Sequence, residues 1–194
     1  MDKWDKKINE LKNGKKILKM WENLKESHSD DDFNKILFNI AVMDGFKDTL
    51  DIHPCTKEYL TKEKSNADSV KGAKLIGATA LFNFGNGDIH PVVLFCKDVF
   101  IELHSKFNNS AKEVLWFINS ILHELWHYRQ FKYIIEKEGA EFAIKVTTTI
   151  EAKFKYGESP IEKGAYMYGD SLGEKKQDLE EMLAELKEAD KVAA

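Results

Sequence analysis

The chain has 194 residues, 43% of them apolar, enough for one domain with a sizeable core. Its 29 basic and 33 acidic residues leave a net charge of −4, which argues against nucleic-acid binding, because displacing counterions needs a basic excess. Twelve Phe, four Trp and six Tyr exclude wholesale disorder, and two cysteines, Cys55 and Cys96, are too few for a disulfide framework and are expected to be reduced and buried.

The N-terminal stretch MDKWDKKINELKNGKK is charged throughout and lacks an apolar leader segment. No apolar run approaches the ~18 residues of a membrane span, so a cytoplasmic location is expected. Trp4, Ile8 and Leu11, then Ile17, Trp21 and Leu24, recur at helical spacing, with Gly14 as the interruption. This predicts two short helices, or one kinked helix, with a lysine-rich face toward solvent. Ser29 followed by Asp30, Asp31 and Asp32 marks a helix start, and Phe33, Ile36, Leu37, Ile40 and Val42 carry that helix over 31–43. Residues 44–73 are polar and weakly patterned, and 62–74 reads as a loop.

Strand-like apolar runs occupy 75–84 and 89–96 on either side of Gly85-Asn86-Gly87-Asp88, a strong turn signal, so a β-hairpin is expected. Pro91 lacks an amide hydrogen and belongs at the start of the second strand or on an edge. Ser110-x-x-Glu113 matches a capping box. A long helix follows over 111–138, apolar nearly all round and therefore buried, with Gly139 as its C-cap. Further helices are predicted over 140–155, from Ser159-Pro160 to about 170, and over the charged stretch 174–191. The expected class is α+β, mostly helical, with a small antiparallel β-hairpin or sheet preceding a buried helix. The chain divides into N-terminal helices packed on or capping the core (1–45), a core (46–173) and a charged C-terminal helix (174–194).

The buried helix carries His123-Glu124-Leu125-Trp126-His127, an H-E-x-x-H pattern. Helical residues four apart differ by about 40° and rise about 6 Å, so both imidazoles project from one face. Two neutral imidazoles at that spacing can share a tetrahedral Zn2+. Glu124 is then the candidate general base. Two histidines inside an apolar helix also need polar partners, since leaving such groups unsatisfied costs about 1–3 kcal/mol each.

Through HELWH at 123–127 the sequence resembles the zincin superfamily of zinc metallopeptidases, over about 75–170. The metzincin continuation is absent, because position 130 is Gln and position 133 is Tyr, and no histidine follows His127. The chain looks like the gluzincin type, whose third ligand is a glutamate on a later helix. That resemblance points to Glu162, in a P-x-E-x-x-A arrangement with Pro160 and small Ala165. Glu158 is the next candidate, ahead of Glu151 and Glu141. Ser159-x-x-Glu162 is also a capping box, which needs no metal. The position four after Glu162, often aspartate in gluzincins, is Tyr166 here; Asp170 is a further candidate to orient a zinc histidine. Tyr166, Tyr156, Tyr168 and His90 are the candidate oxyanion donors, Tyr166 foremost because it lies one turn from Glu162. Gln130, one turn after His127, is a candidate to orient that histidine, and the lone arginine, Arg129, is expected in a surface ion pair.

The expected function is a zinc-dependent hydrolase, foremost a metallopeptidase acting on a peptide or protein substrate through a metal-activated water, with catalytic Glu124 and Tyr166 and metal ligands His123, His127 and Glu162. The alternative is a catalytically silent zincin-fold module whose N- or C-terminal helices dock a protein partner.

Overall fold

A computed structural model describes residues 2–46, 51–56, 77–85, 88–104, 109–155 and 157–191. The α+β class is borne out: the chain is predominantly helical, with one small mixed sheet. Its axis is a 29-residue helix, α5 (Ser110–Glu138), buried on most of its circumference, as its apolar content requires.

Three N-terminal helices, α1 (Lys3–Glu10), α2 (Gly14–Ser27) and α3 (Asp30–Met43), pack against α5. The break predicted near Gly14 falls just before it, over Leu11–Asn13, and Gly14 begins α2; Ser29 Oγ caps α3 by accepting from the Asp32 amide at 3.3 Å. Ile8, Ile17, Trp21, Leu24, Phe33 and Ile36 belong to the same apolar cluster as the first half of α5. Trp21 and Phe100 both pack against Phe117, at 5.1 and 4.4 Å between ring centroids.

The expected hairpin forms from β2 (Gly77–Asn83) and β3 (Ile89–Phe95), antiparallel from Gly77↔Phe95 to Asn83↔Ile89. It belongs to a small sheet that is mixed, not antiparallel as expected: β1 (Ile52–Pro54) pairs parallel with the end of β3, giving the order β1-β3-β2. Pro91 is tolerated inside β3 because β1 reaches only Val93, Leu94 and Phe95, leaving that side of Pro91 unpaired by a strand. Val93 and Phe95 join the core with α5, while Val92, Leu94 and Cys96 cluster on the other face with Ala78 and half-buried Cys55. Both cysteines are free thiols.

Several expectations are corrected. Residues Lys97–His104 form a helix, α4, where none was assigned. The cap of α5 is Asn109, whose side chain accepts from the Lys112 amide at 2.8 Å. Glu113 is buried instead, accepting from Trp21 Nε1 at 2.9 Å and Lys25 Nζ at 2.6 Å. The helix over 140–155 is α6 (Ala140–Lys145) followed by a wide π turn (Val146–Ile150) and a 3-10 turn (Glu151–Lys153). Thr147 and Thr148 hydroxyls both donate to the Ile144 carbonyl there, at 2.9 Å each, competing with the helical ladder. The last helix, α8 (Leu179–Lys191), starts later than predicted, where Asp178 Oδ1 accepts from the amides of Glu180 and Glu181. The loop expected over 62–74 and the tip residues Asn86 and Gly87 lie outside the described residues. Among the described residues no helix is long and apolar enough to cross a membrane.

Candidate metal centre

Helix α7 (Pro160–Asp170) begins as predicted, with Ser159 as N-cap and Pro160 at its first position, and lies along α5. Small residues let it come close. A Cβ on Gly169 would lie 2.9 Å from the Asn119 carbonyl oxygen, and one on Gly164 would lie 1.9 Å from Gln177 Oε1. Ala165 is fully buried at the same interface. Asp170 is not at the histidines: it accepts from Asn119 Nδ2 at 2.8 Å.

This approach brings Glu162 to the two histidines of α5. His123 Nε2 and His127 Nε2 are 3.0 Å apart, with their rings nearly perpendicular at 88°. Glu162 Oε2 is 3.6 Å from the first nitrogen, and Oε1 is 3.7 Å from the second. One donor atom from each residue fits within 4.8 Å of the others. In a tetrahedral site with bonds of about 2.0–2.1 Å, donor atoms stand about 3.3 Å apart, so shifts of a few tenths of an ångström would make these three a zinc ligand set. The donor chemistry, two imidazoles and one carboxylate, suits that ion. Glu162 also keeps its capping position, its amide donating to Ser159 Oγ at 3.1 Å. The main chain serves the cap and the carboxylate serves the cluster.

The other glutamates do not join it. Glu151 accepts from Ser159 Oγ at 3.1 Å, and Glu158 and Glu141 are exposed.

Glu124 lies about 100° round α5 from His123, toward the sheet. The Thr79 hydroxyl of β2 reaches both the Glu124 carbonyl, at 2.9 Å, and its Oε2, at 3.1 Å. His127 Nδ1 is 2.9 Å from Oε1 of Gln130, a fully buried side chain. Gln130 Nε2 donates to the Ile161 carbonyl at 2.9 Å and to Gln177 Oε1 at 2.7 Å, and Gln177 Nε2 donates to the Pro160 carbonyl at 2.7 Å.

Tyr166 packs its ring against His123, at 4.7 Å between centroids, and is 39% exposed. Tyr168 is committed elsewhere. It donates to Asp44, accepts from Arg129 Nη1 at 2.9 Å and stacks on Trp126 at 4.5 Å. Burial, reinforced by its bond to Asp44, pushes its hydroxyl up to about 12. Arg129 is not in a surface pair as expected but bonds Asp44, half-hidden, at 2.7 Å. His90 pairs with Asp88 at 2.7 Å near the hairpin tip, and Tyr156 lies outside the described residues. Thr79, Gln177 and Gly164 were not singled out from sequence, since nothing local marks a threonine in a strand or a glutamine in a charged stretch.

Comparison with models of known protein families, with curated proteins and with solved structures finds no match to this chain.

Proposed function

We propose that this chain is a zinc-dependent hydrolase, and within that class a metallopeptidase, with His123, His127 and Glu162 as ligands and Glu124 as general base. One observation carries the reading: donor atoms of two imidazoles and a carboxylate, from two different helices, converge within 4.8 Å. A bound zinc ion supplies Lewis acidity, polarising a substrate carbonyl and bringing the pKa of a coordinated water toward neutrality. Glu124 accepts the proton lost by the attacking water and passes it to the leaving amine. The Thr79 hydroxyl holds one carboxylate oxygen of Glu124, Oε2, at 3.1 Å. Tyr166, seated on His123 and open to solvent, is the residue to donate to the developing oxyanion.

The test is direct. Protein purified without chelator is expected to carry close to one zinc per chain by elemental analysis. Glu124→Gln is expected to keep that metal and lose roughly 1,000-fold or more in peptide hydrolysis, within the range set by losing a general base. A zinc content far below one per chain overturns the reading.

The alternative of a silent docking module is favoured by one observation, the half-exposed Phe38 and Val42 on α3. Against it, α1, α2 and α8 bury Ile8, Trp21, Met182 and Leu186 within the molecule. A zinc-loaded protein inert toward broad peptide libraries would favour the module.

A further inference from the structure

We infer that Gln130, completed by Gln177, is the positioning residue of the metal centre: a single buried carboxamide fixes which nitrogen of His127 faces the ion and holds the backbone that presents Glu162. This inference rests on the zinc reading above.

The orientation of the Gln130 amide follows from its neighbours. The Ile161 carbonyl can only accept, so Nε2 must point to it and Oε1 must point to His127. Gln177 agrees, since its own Nε2 is directed at the Pro160 carbonyl and its Oε1 is therefore the acceptor for Gln130. A carboxamide oxygen also only accepts, so the proton of neutral His127 resides on Nδ1. Nε2 then carries its lone pair toward His123 Nε2 and Glu162.

The same amide is bound to the element that carries the carboxylate. Pro160 and Ile161, whose carbonyls the two glutamines hold, immediately precede Glu162 in the first turn of α7. One hydrogen-bonded unit thus aligns a ligand of α5 and the helix bearing the third ligand. A separate observation fits this arrangement. Gly164 stands where a Cβ would lie 1.9 Å from Gln177 Oε1 and 2.8 Å from Gln130 Nε2, so the glutamine pair occupies the space a side chain there would need. The neutral amide is an unusual choice beside a metal-binding histidine. Carboxylates and backbone carbonyls commonly fill that role, and such partners influence metal affinity by about 10- to 100-fold.

Two measurements test this on the full chain. The first needs no variant: long-range 1H–15N correlation spectra of the imidazoles, in metal-free and zinc-loaded protein, are expected to show His127 protonated on Nδ1 in both. A proton on His127 Nε2 in the metal-free protein overturns the inference. The second is zinc affinity, read by competition with a chromophoric chelator. Gln130→Leu is expected to weaken zinc binding about 10- to 100-fold. Gln177→Ala, at a half-buried position outside the helices, is expected to weaken it by a smaller factor and serves if Gln130→Leu fails to fold. Wild-type affinity in a folded Gln130→Leu, or in Gln177→Ala when that is the variant measured, overturns the inference while leaving the zinc reading intact. Failure of the unaltered protein to bind zinc overturns the zinc reading itself.

Discussion

Glu162 holds two roles that can be separated by substitution. Its amide completes the start of α7 at Ser159 Oγ, and its carboxylate faces the two imidazoles. Ser159→Ala removes the cap acceptor and is expected to cost about 1 kcal/mol in urea denaturation of the metal-free protein, with the ligand atoms unchanged. Glu162→Gln leaves the cap in place and removes the proposed anionic ligand. It should therefore barely alter metal-free stability but weaken zinc binding roughly 100-fold or more, because a structural ligand's contribution is lost outright. Zinc bound as tightly by Glu162→Gln as by the unaltered chain would contradict the ligand assignment. At this scale the histidines and Glu124 were legible because helical geometry alone puts positions 123, 124 and 127 within a 100° arc. Glu162 was legible as an acid at a helix start. Thr79 and Gln177 were not, because their roles depend on which strand and which connection come to rest against α5, and Gln177 sits among Lys175, Lys176 and Asp178 like a solvent residue.

Between elements, the close contact of α5 with α7 decides whether a site exists. Glycine inside a helix is ordinarily worse than alanine by about 1 kcal/mol. At Gly169 that preference is outweighed. An added Cβ would stand 2.9 Å from the Asn119 carbonyl, a main-chain atom of α5 that cannot swing aside, and 3.3 Å from the Cβ of His123. Gly169→Ala is therefore expected to destabilise the protein by about 1–3 kcal/mol in urea denaturation, the usual range for overpacking. It is also expected to weaken zinc binding, because Glu162 rides on the helix that must back away. Equal or greater stability of Gly169→Ala would show that the two helices are not held at this separation. The long helices were readable because each has many apolar residues at one period and a cap at its start. Strand β1 was not, since three residues paired in parallel with a strand far along the chain leave no local pattern. The start of α8 was displaced by Asp178, a better cap than anything at 174.

Across the whole molecule, three distant segments are joined at one clasp. Asp44 closes α3, Arg129 lies on α5 and Tyr168 on α7, and the three side chains bond one another beside Trp126. The clasp ties the N-terminal helices to the two helices that carry the proposed metal ligands. Burial raises the Asp44 carboxyl above the ordinary range, opposed by its bonds to Tyr168 and Arg129, and raises the Tyr168 hydroxyl from 10 to about 12. The tyrosine's effect on stability has a definite sign. In the unfolded chain its proton leaves near pH 10, whereas in the folded chain it is kept to about 12. The folded state therefore binds more protons between these values, and stability contributed by Tyr168 is complete below pH 10 and lost as the pH rises through 12. Two pH units correspond to about 3 kcal/mol at most. Tyr168→Phe removes the titrating group together with its bonds to Asp44 and Arg129, costing about 1–3 kcal/mol at neutral pH. Urea denaturation at a series of pH values is expected to show the unaltered protein losing stability more steeply than Tyr168→Phe from pH 10 upward, until the neutral-pH advantage disappears. Lysines titrate in the same range but are common to both proteins and cancel in the difference. Parallel stability curves for the two proteins through pH 12 would mean that the Tyr168 hydroxyl is not held in this clasp.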